Sequence, residues 1–338
     1  MRVPRLSSQQ TQGLAAALLS AVVLGLPPIF GKQAILQGTA PLTVVMLRTT
    51  FSMAALWLAY LLFWRQYIYI YPVGLAGCLL AGLFNGLGSL MYYTGLGRLD
   101  ASLVQLIFTL YTLFLTLLAR LDGHPISRLT LFRLGIALAA VYLVTGGVGA
   151  RAGWAGVLLV VLSGAMYALH VAVNQHVLYD VPAPTVALYT ITAMAVTVSV
   201  AYGLDGAPLL PTTTAAWEFV ALLTVVTVIS RLALFTGVKY LGGVQSALLG
   251  LSEALVTIVV AAFWLGERLA PPQWLGAAML GASVLLIARE KDLGVLPPPK
   301  PWFQLLAAWS KTRRQPSRQP ATLRVPSPPP PPPVKPGD

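Results

Sequence analysis

The chain has 338 residues, of which 57% are hydrophobic and 9% charged. A soluble domain carries roughly a quarter charged residues, so a water-soluble globule is excluded and lipid is the remaining solvent. The net charge of +12 is no nucleic-acid signal. Residues 1–289 hold 14 basic against 7 acidic side chains, spread over joints, and residues 290–338 hold 8 against 3.

Ten apolar runs follow one another, at roughly 13–31, 42–64, 73–97, 101–119, 130–149, 154–177, 185–204, 216–238, 243–265 and 272–289. They are long and do not alternate with period two, which predicts spanning helices rather than a barrel. Polar or Pro/Gly-containing joints separate them, among them RLDGHPISR, YDVPAP, LDGAPLLPTTT and GERLAPP. Short joints make neighbouring helices antiparallel. The first run follows Arg2 and Arg5 but leads into further spans, so it reads as a retained span rather than a cleaved leader.

With the N-terminus in the cytoplasm, the inner face receives Arg2, Arg5, Arg65, Arg120, Arg128, Arg133 and Lys239. The outer face receives Lys32, Arg98, Arg151 and Arg268. The cationic excess inside sets the expected orientation: a multi-pass protein of the cell inner membrane with both termini cytoplasmic.

Several polar residues stand within the runs. A charge near the bilayer centre costs about 2.5–3.5 kcal/mol on insertion scales, so it turns toward protein or a wet cavity. Lys32 closes the first span and is expected to anchor at the interface. Arg48, about seven residues into the second, is expected to snorkel outward or to bind backbone carbonyls. Arg231 lies mid-span in TVVTVISRLALF, with Thr224 and Thr227 on the same helical face. It is the first candidate for a cavity charge, suited to an anionic group such as a substrate carboxylate. A structural ion pair with Glu253 is the alternative.

The stretch LSEALVTIVVAAFWLGERLA, residues 251–270, places Glu253 well inside a span and Glu267 at its end, beside Arg268. Glu253 could pair with Arg231, coordinate a substrate ammonium, take a proton in coupling, or hydrogen-bond between helices as a neutral acid. Glu267 reads as an interface residue closing the turn between the ninth and tenth spans. Further polar stripes are Asn85, Ser89 and Tyr92 on span three, and Gln105, Thr109, Thr112 and Thr116 on span four. Tyr167, His170 and Asn174 form a third on span six. Such residues commonly join membrane helices, and His170 is also able to titrate near neutrality. Cys78 is a lone thiol, and His124, His170 and His176 are too scattered for a metal site, so no cofactor or metal is expected.

Residues 290–338 contain 14 of the 26 prolines, with an unbroken run at 328–333. This segment cannot build a core and reads as a cytoplasmic tail, mostly disordered. Within it Trp302, Leu305, Leu306 and Trp309 share one helical face and basic residues follow, a pattern that suits the surface of an anionic leaflet.

The chain also repeats. Tyr93-Thr94-Gly95 lies over Phe235-Thr236-Gly237 at an offset of 142, and Leu134-Gly135 over Leu275-Gly276 at 141. Five helices followed by five, joined by short connections, must enter the membrane from opposite sides. That is an inverted repeat, an arrangement recurrent in secondary transporters.

On these residues the chain resembles EamA-type members of the drug/metabolite transporter superfamily, over about 13–289. Leu265-Gly266-Glu267 and the Gly-rich last span carry the likeness in the second half. Ser252-Glu253-Ala254 keeps the family's Glu, with Ala where Pro is common. Lys32 and Arg48 match in the first half, where the corresponding Leu-Gly-Glu is degraded to LDGHP. The resemblance implies an all-α protein of ten transmembrane helices in two inverted five-helix repeats, moving small metabolites, often amino acids. The expected organisation is a cytoplasmic segment 1–12, repeat one over 13–149, repeat two over 150–289 and the tail.

The expected function is export of small polar metabolites by alternating access, with Arg231, Glu253, His170, Asn174, Tyr167, Asn85, Thr109 and Thr227 as substrate or coupling candidates. Lys32, Arg48 and Glu267 are structural or interface candidates. A carrier of nucleotide sugars or sugar phosphates is the alternative in the same class, and a scaffold recruiting partners through the Pro-rich tail the alternative in another. No GxxxxGK[ST], HExxH or GxSxG occurs, so neither ATP drive nor a hydrolase is supported. The expected partners are a small-molecule substrate and the bilayer, with no nucleic acid.

Overall fold

The computed structural model describes residues 19, 22–121, 132, 135–136, 139–140, 142–143, 153–206, 209–241 and 251–286. The N-terminal segment, most of the expected fifth span, residues 122–125 of the joint LDGHP and the Pro-rich tail lie outside them, as does the start of the expected ninth span.

Every regular element described is helical: α1 (Pro27–Leu36), α2 (Pro41–Leu62), α3 (Pro72–Leu96), α4 (Ala101–Phe108), α5 (Tyr111–Leu121), α6 (Trp154–Val177), α7 (Ala183–Leu204), α8 (Thr214–Leu241), α9 (Leu251–Val260) and α10 (Pro271–Leu285). Proline stands in the first turn of α1, α2, α3 and α7, where its missing N–H costs no intrahelical bond. Five stretches are long and apolar enough to cross a membrane: α2, α3, α6, α7 and Thr214–Phe235 of α8. Val22–Leu36, Ala101–Leu115 and Glu253–Leu265 are apolar but shorter. Among the described residues, five full-length spans therefore stand where ten are expected.

Two of the shorter runs fall short because they are broken. The first expected span is interrupted at Gly25–Leu26, just before Pro27 and Pro28. The Thr257 hydroxyl donates to the freed Gly25 carbonyl at 2.7 Å. The fourth bends between α4 and α5 at Thr109–Leu110, where the Thr109 hydroxyl donates to Leu106 O at 2.6 Å. Breaks of this kind persist at membrane depth only where side chains recapture the backbone groups. The run after α9 winds through one π turn, Ala261–Leu265, and ends on Gly266 at φ 68°, a left-handed conformation that favours glycine.

The two halves pack chiefly on each other. Helix α3 lies along α6 and α7, while α8 lies against α1 and α2. The approach of α3 to α7 depends on a missing side chain. A methyl at Gly82 would collide with Ala193 Cβ and stand 2.6 Å from the Thr190 carbonyl oxygen. Without a hydrophobic drive between helices in lipid, such backbone proximity is what holds them. The central apolar cluster draws Ile29, Val44, Leu96 and Ile107 from the first half and Val160, Met194 and Leu223 from the second. Leu79, Leu83 and Leu87 of α3, and Val196 and Val200 of α7, stay exposed on outward faces, which is where a bilayer solvates them.

Candidate functional site, a charged cavity between the halves

A cavity lies where α2, α3, α4, α6, α8 and α9 converge with the broken first span. Its charged lining is Arg48, Arg231 and Glu253. Asn85, Ser89, Tyr92, Tyr93, Gln105, Ser163 and Tyr167 add polar groups, and Leu24, Pro27, Pro28 and Phe108 apolar ones. Both interrupted runs border it, Leu24–Pro28 at one break and Phe108 at the other. Discontinuous helices at a mid-membrane cavity are the usual framework of a transporter binding site.

Arg231 is 5% exposed and projects from α8 into this wall. Its Nη2 donates to Asn85 Oδ1 at 3.2 Å and its Nη1 to His170 Nε2 at 3.3 Å. The guanidinium also stands 5.8 Å from the centre of the Tyr167 ring. Because arginine can only donate, His170 Nε2 accepts, and its Nδ1 donates to the Ala81 carbonyl at 3.0 Å. Asn174, one turn on, sets its amide nitrogen 3.4 Å from Nε2, the ring nitrogen able to accept, and Thr190 donates to Asn174 Oδ1 at 3.4 Å. A buried polar chain thus runs from α7 through α6 to the guanidinium and fixes its position. Arg231 engages Asn85 and His170 rather than Glu253.

Glu253 is 6% exposed and faces the same cavity from the first turn of α9. Arg48 does not extend outward. It is 6% exposed, with its guanidinium carbon 4.8 Å above the Tyr93 ring and Nη2 3.4 Å from Ser89 Oγ. The aromatic wall is continuous: Tyr92 meets Phe108 at 5.1 Å and Phe108 meets Tyr167 at 5.2 Å between ring centres. The Tyr92 hydroxyl donates to Gln105 Oε1 at 2.9 Å.

Of the expected candidates, Arg231, Glu253, Tyr167 and Asn85 come together at the cavity, and Arg48 joins them. His170 and Asn174 stand behind Arg231. Thr227 and Thr109 turn their hydroxyls back to their own helices, to Leu223 O at 2.7 Å and Leu106 O at 2.6 Å. The stripe on span four divides at the Thr109–Leu110 bend. Tyr93, Phe108 and Ser163 are cavity residues that no charge or spacing singled out; only Tyr93 carried a signal, as part of the repeated Tyr-Thr-Gly.

Lys32 and Glu267 meet elsewhere, at the corner between α3 and α4. Lys32 Nζ donates to Leu96 O at 2.9 Å and Leu99 O at 2.8 Å. Glu267 takes the backbone N–H groups of Ala101 and Ser102. The expectation that Glu267 closes its own turn is thus corrected: its carboxylate caps a helix of the other half, because the corner brings the open N-terminus of α4 within reach.

The chain is similar to known proteins over most of their length. A Bacillus subtilis (strain 168) protein, the uncharacterized transporter YcbK, is 25% identical over 280 residues, 78% of this chain and 88% of its own. An uncharacterized transporter of Archaeoglobus fulgidus is 27% identical over 286 residues, 82% of this chain and 97% of its own. One crystal structure, at 18% identity, superposes with a TM-score of 0.59 over 83% of this chain and 98% of its own, a likeness of fold. The model of the EamA-like transporter family matches twice, at residues 11–146 and again at 154–289. Two matched halves, broken helices and a charged cavity between them make this chain a multi-pass membrane transporter that belongs to the EamA-like transporter family, a family of transporters rather than enzymes.

Proposed function

We propose that the protein exports small polar metabolites, amino acids foremost, across the inner membrane by alternating access of two inverted halves, with both termini in the cytoplasm. The observation that carries this reading is that Arg231 and Glu253 line one cavity while the hydrogen bonds of Arg231 go to Asn85 and His170. A guanidinium and a carboxylate in one cavity match the carboxylate and ammonium of a zwitterion. Low dielectric strengthens both contacts, and a ligand bearing both charges offsets their desolvation. The Lys/Arg excess on one set of joints supports the orientation.

A carrier of nucleotide sugars or sugar phosphates has the two arginines in its favour. Glu253 counts against it, because a carboxylate beside a phosphate is repulsive.

The test compares metabolites released into the medium by cells making the intact chain, the Arg231→Leu variant or neither. Enrichment of amino acids with the intact chain alone supports the reading. Equal profiles from all three, with both proteins inserted, defeat it; enrichment of phosphorylated sugars transfers it to the alternative.

A further inference from the structure

The sequence assigns Arg48 a structural place, yet its surroundings are those of a binding group. It is 6% exposed, and among the described residues its Nε has no hydrogen-bond partner. Its one side-chain hydrogen bond described, to Ser89 Oγ, is long at 3.4 Å. The hydroxyl of Tyr93, the ring under the guanidinium, also lacks a partner among the described residues. Both residues line the cavity that holds Arg231 and Glu253. An unsatisfied donor on a buried charge is costly, and a carboxylate is the group whose geometry relieves it.

Charge counting sharpens the point. Among the described lining residues there are two guanidinium groups and one carboxylate, a net charge of +1 with Glu253 ionised. A neutral amino acid leaves that charge uncompensated. A molecule with two carboxylates and one ammonium carries −1 and brings the cavity to zero, one acidic group for each arginine and the ammonium for Glu253. A phosphate ester satisfies the arginines but sets its oxygens against Glu253.

We infer that the cavity selects an amino dicarboxylate, and that Arg48 is the specificity-determining residue that holds its second carboxylate. The inference rests on the amino-acid reading given under the proposed function, and narrows it.

The full chain, reconstituted in vesicles, is given labelled L-glutamate or L-glutamine, which differ at the one group in question. The expected result is a preference for glutamate of about tenfold or more, the worth of one charge-assisted bond. In Arg48→Gln the glutamate-to-glutamine ratio falls about tenfold, whatever the absolute rates. Arg48→Lys keeps the charge and recovers part of the ratio. Arg231→Leu silences both compounds.

A wild-type protein that moves glutamine as well as glutamate overturns the dicarboxylate inference while leaving the amino-acid reading intact. An Arg48→Gln variant that keeps the wild-type ratio removes Arg48 from selection. If neither compound, nor any other amino acid, moves in tight vesicles, both readings fall. Should Arg48→Gln not fold, the wild-type ratio still decides.

Discussion

Glu267 and Ser102 are joined by two hydrogen bonds across the halves of the protein: the Ser102 N–H at 2.9 Å and its hydroxyl at 2.7 Å both reach one carboxylate oxygen. The other oxygen accepts the Ala101 N–H at 2.8 Å. A carboxylate thus sits on the open N-terminus of α4, where free N–H groups and the helix dipole favour negative charge.

Removing that cap in Glu267→Ala leaves two backbone donors bare. The expected loss is about 2 kcal/mol of stability, read as a lower melting temperature of the detergent-solubilised protein. Ser102→Ala, which deletes one bond of the three, loses about half as much. An unchanged melting temperature in Glu267→Ala would show that the corner is held by other contacts.

Arg231 and Asn85 form a positioned pair. Arg231→Leu should stop transport with insertion and monodispersity unchanged. Asn85→Ala keeps the charge but removes the acceptor 3.2 Å from Nη2, so transport efficiency should drop by about tenfold or more, the worth of a hydrogen bond to a charged group. Wild-type flux in Arg231→Leu would take the guanidinium out of the site.

If export is driven by protons entering through Glu253, flux from wild-type vesicles should rise as the trans side is made more acidic. Glu253→Gln cannot exchange a proton and should give a flat profile. His170→Gln should lower flux but keep the slope, because both ring nitrogens of His170 are already occupied by Arg231 and the Ala81 carbonyl. A slope that survives Glu253→Gln and vanishes in the His170 variant would reverse the two roles.

The contact of α3 with α7 gives a packing test. Gly82→Ala drives a methyl against the Thr190 carbonyl, which cannot move without its helix. Overpacking of this kind costs about 1–3 kcal/mol. Gly203→Ala meets nothing within 4 Å and should change stability by no more than about 0.5 kcal/mol. Equal stability of the two variants would mean that the helices separate freely.

Deleting residues 295–338 separates transport from scaffolding. A transporter keeps its vesicle flux without the tail. A scaffold acting through the Pro-rich segment loses its cellular effect, and loss of vesicle flux itself would give the tail a place in transport.

What the sequence alone determined is the solvent and the class. Apolar runs such as 154–177 and 185–204 cannot be hidden in water, and a repeat at an offset of 142 residues implies two halves. Even the buried charges were legible, because Arg231 and Glu253 have no cheap place in hydrocarbon. The tertiary structure decided where each is used. Periodicity places Thr227 and Arg231 on one face of α8 but cannot tell that Thr227 turns to Leu223 O while Arg231 reaches Asn85, 146 positions away. It could not foresee that Glu267 caps a helix begun 166 residues earlier, or that Arg48 turns inward onto Tyr93. Helix formation follows from local patterning and hydropathy, which a linear string records. Which side chains meet depends on how the halves dock, and that docking is set by backbone contacts, such as Gly82 against α7, that span long stretches of chain.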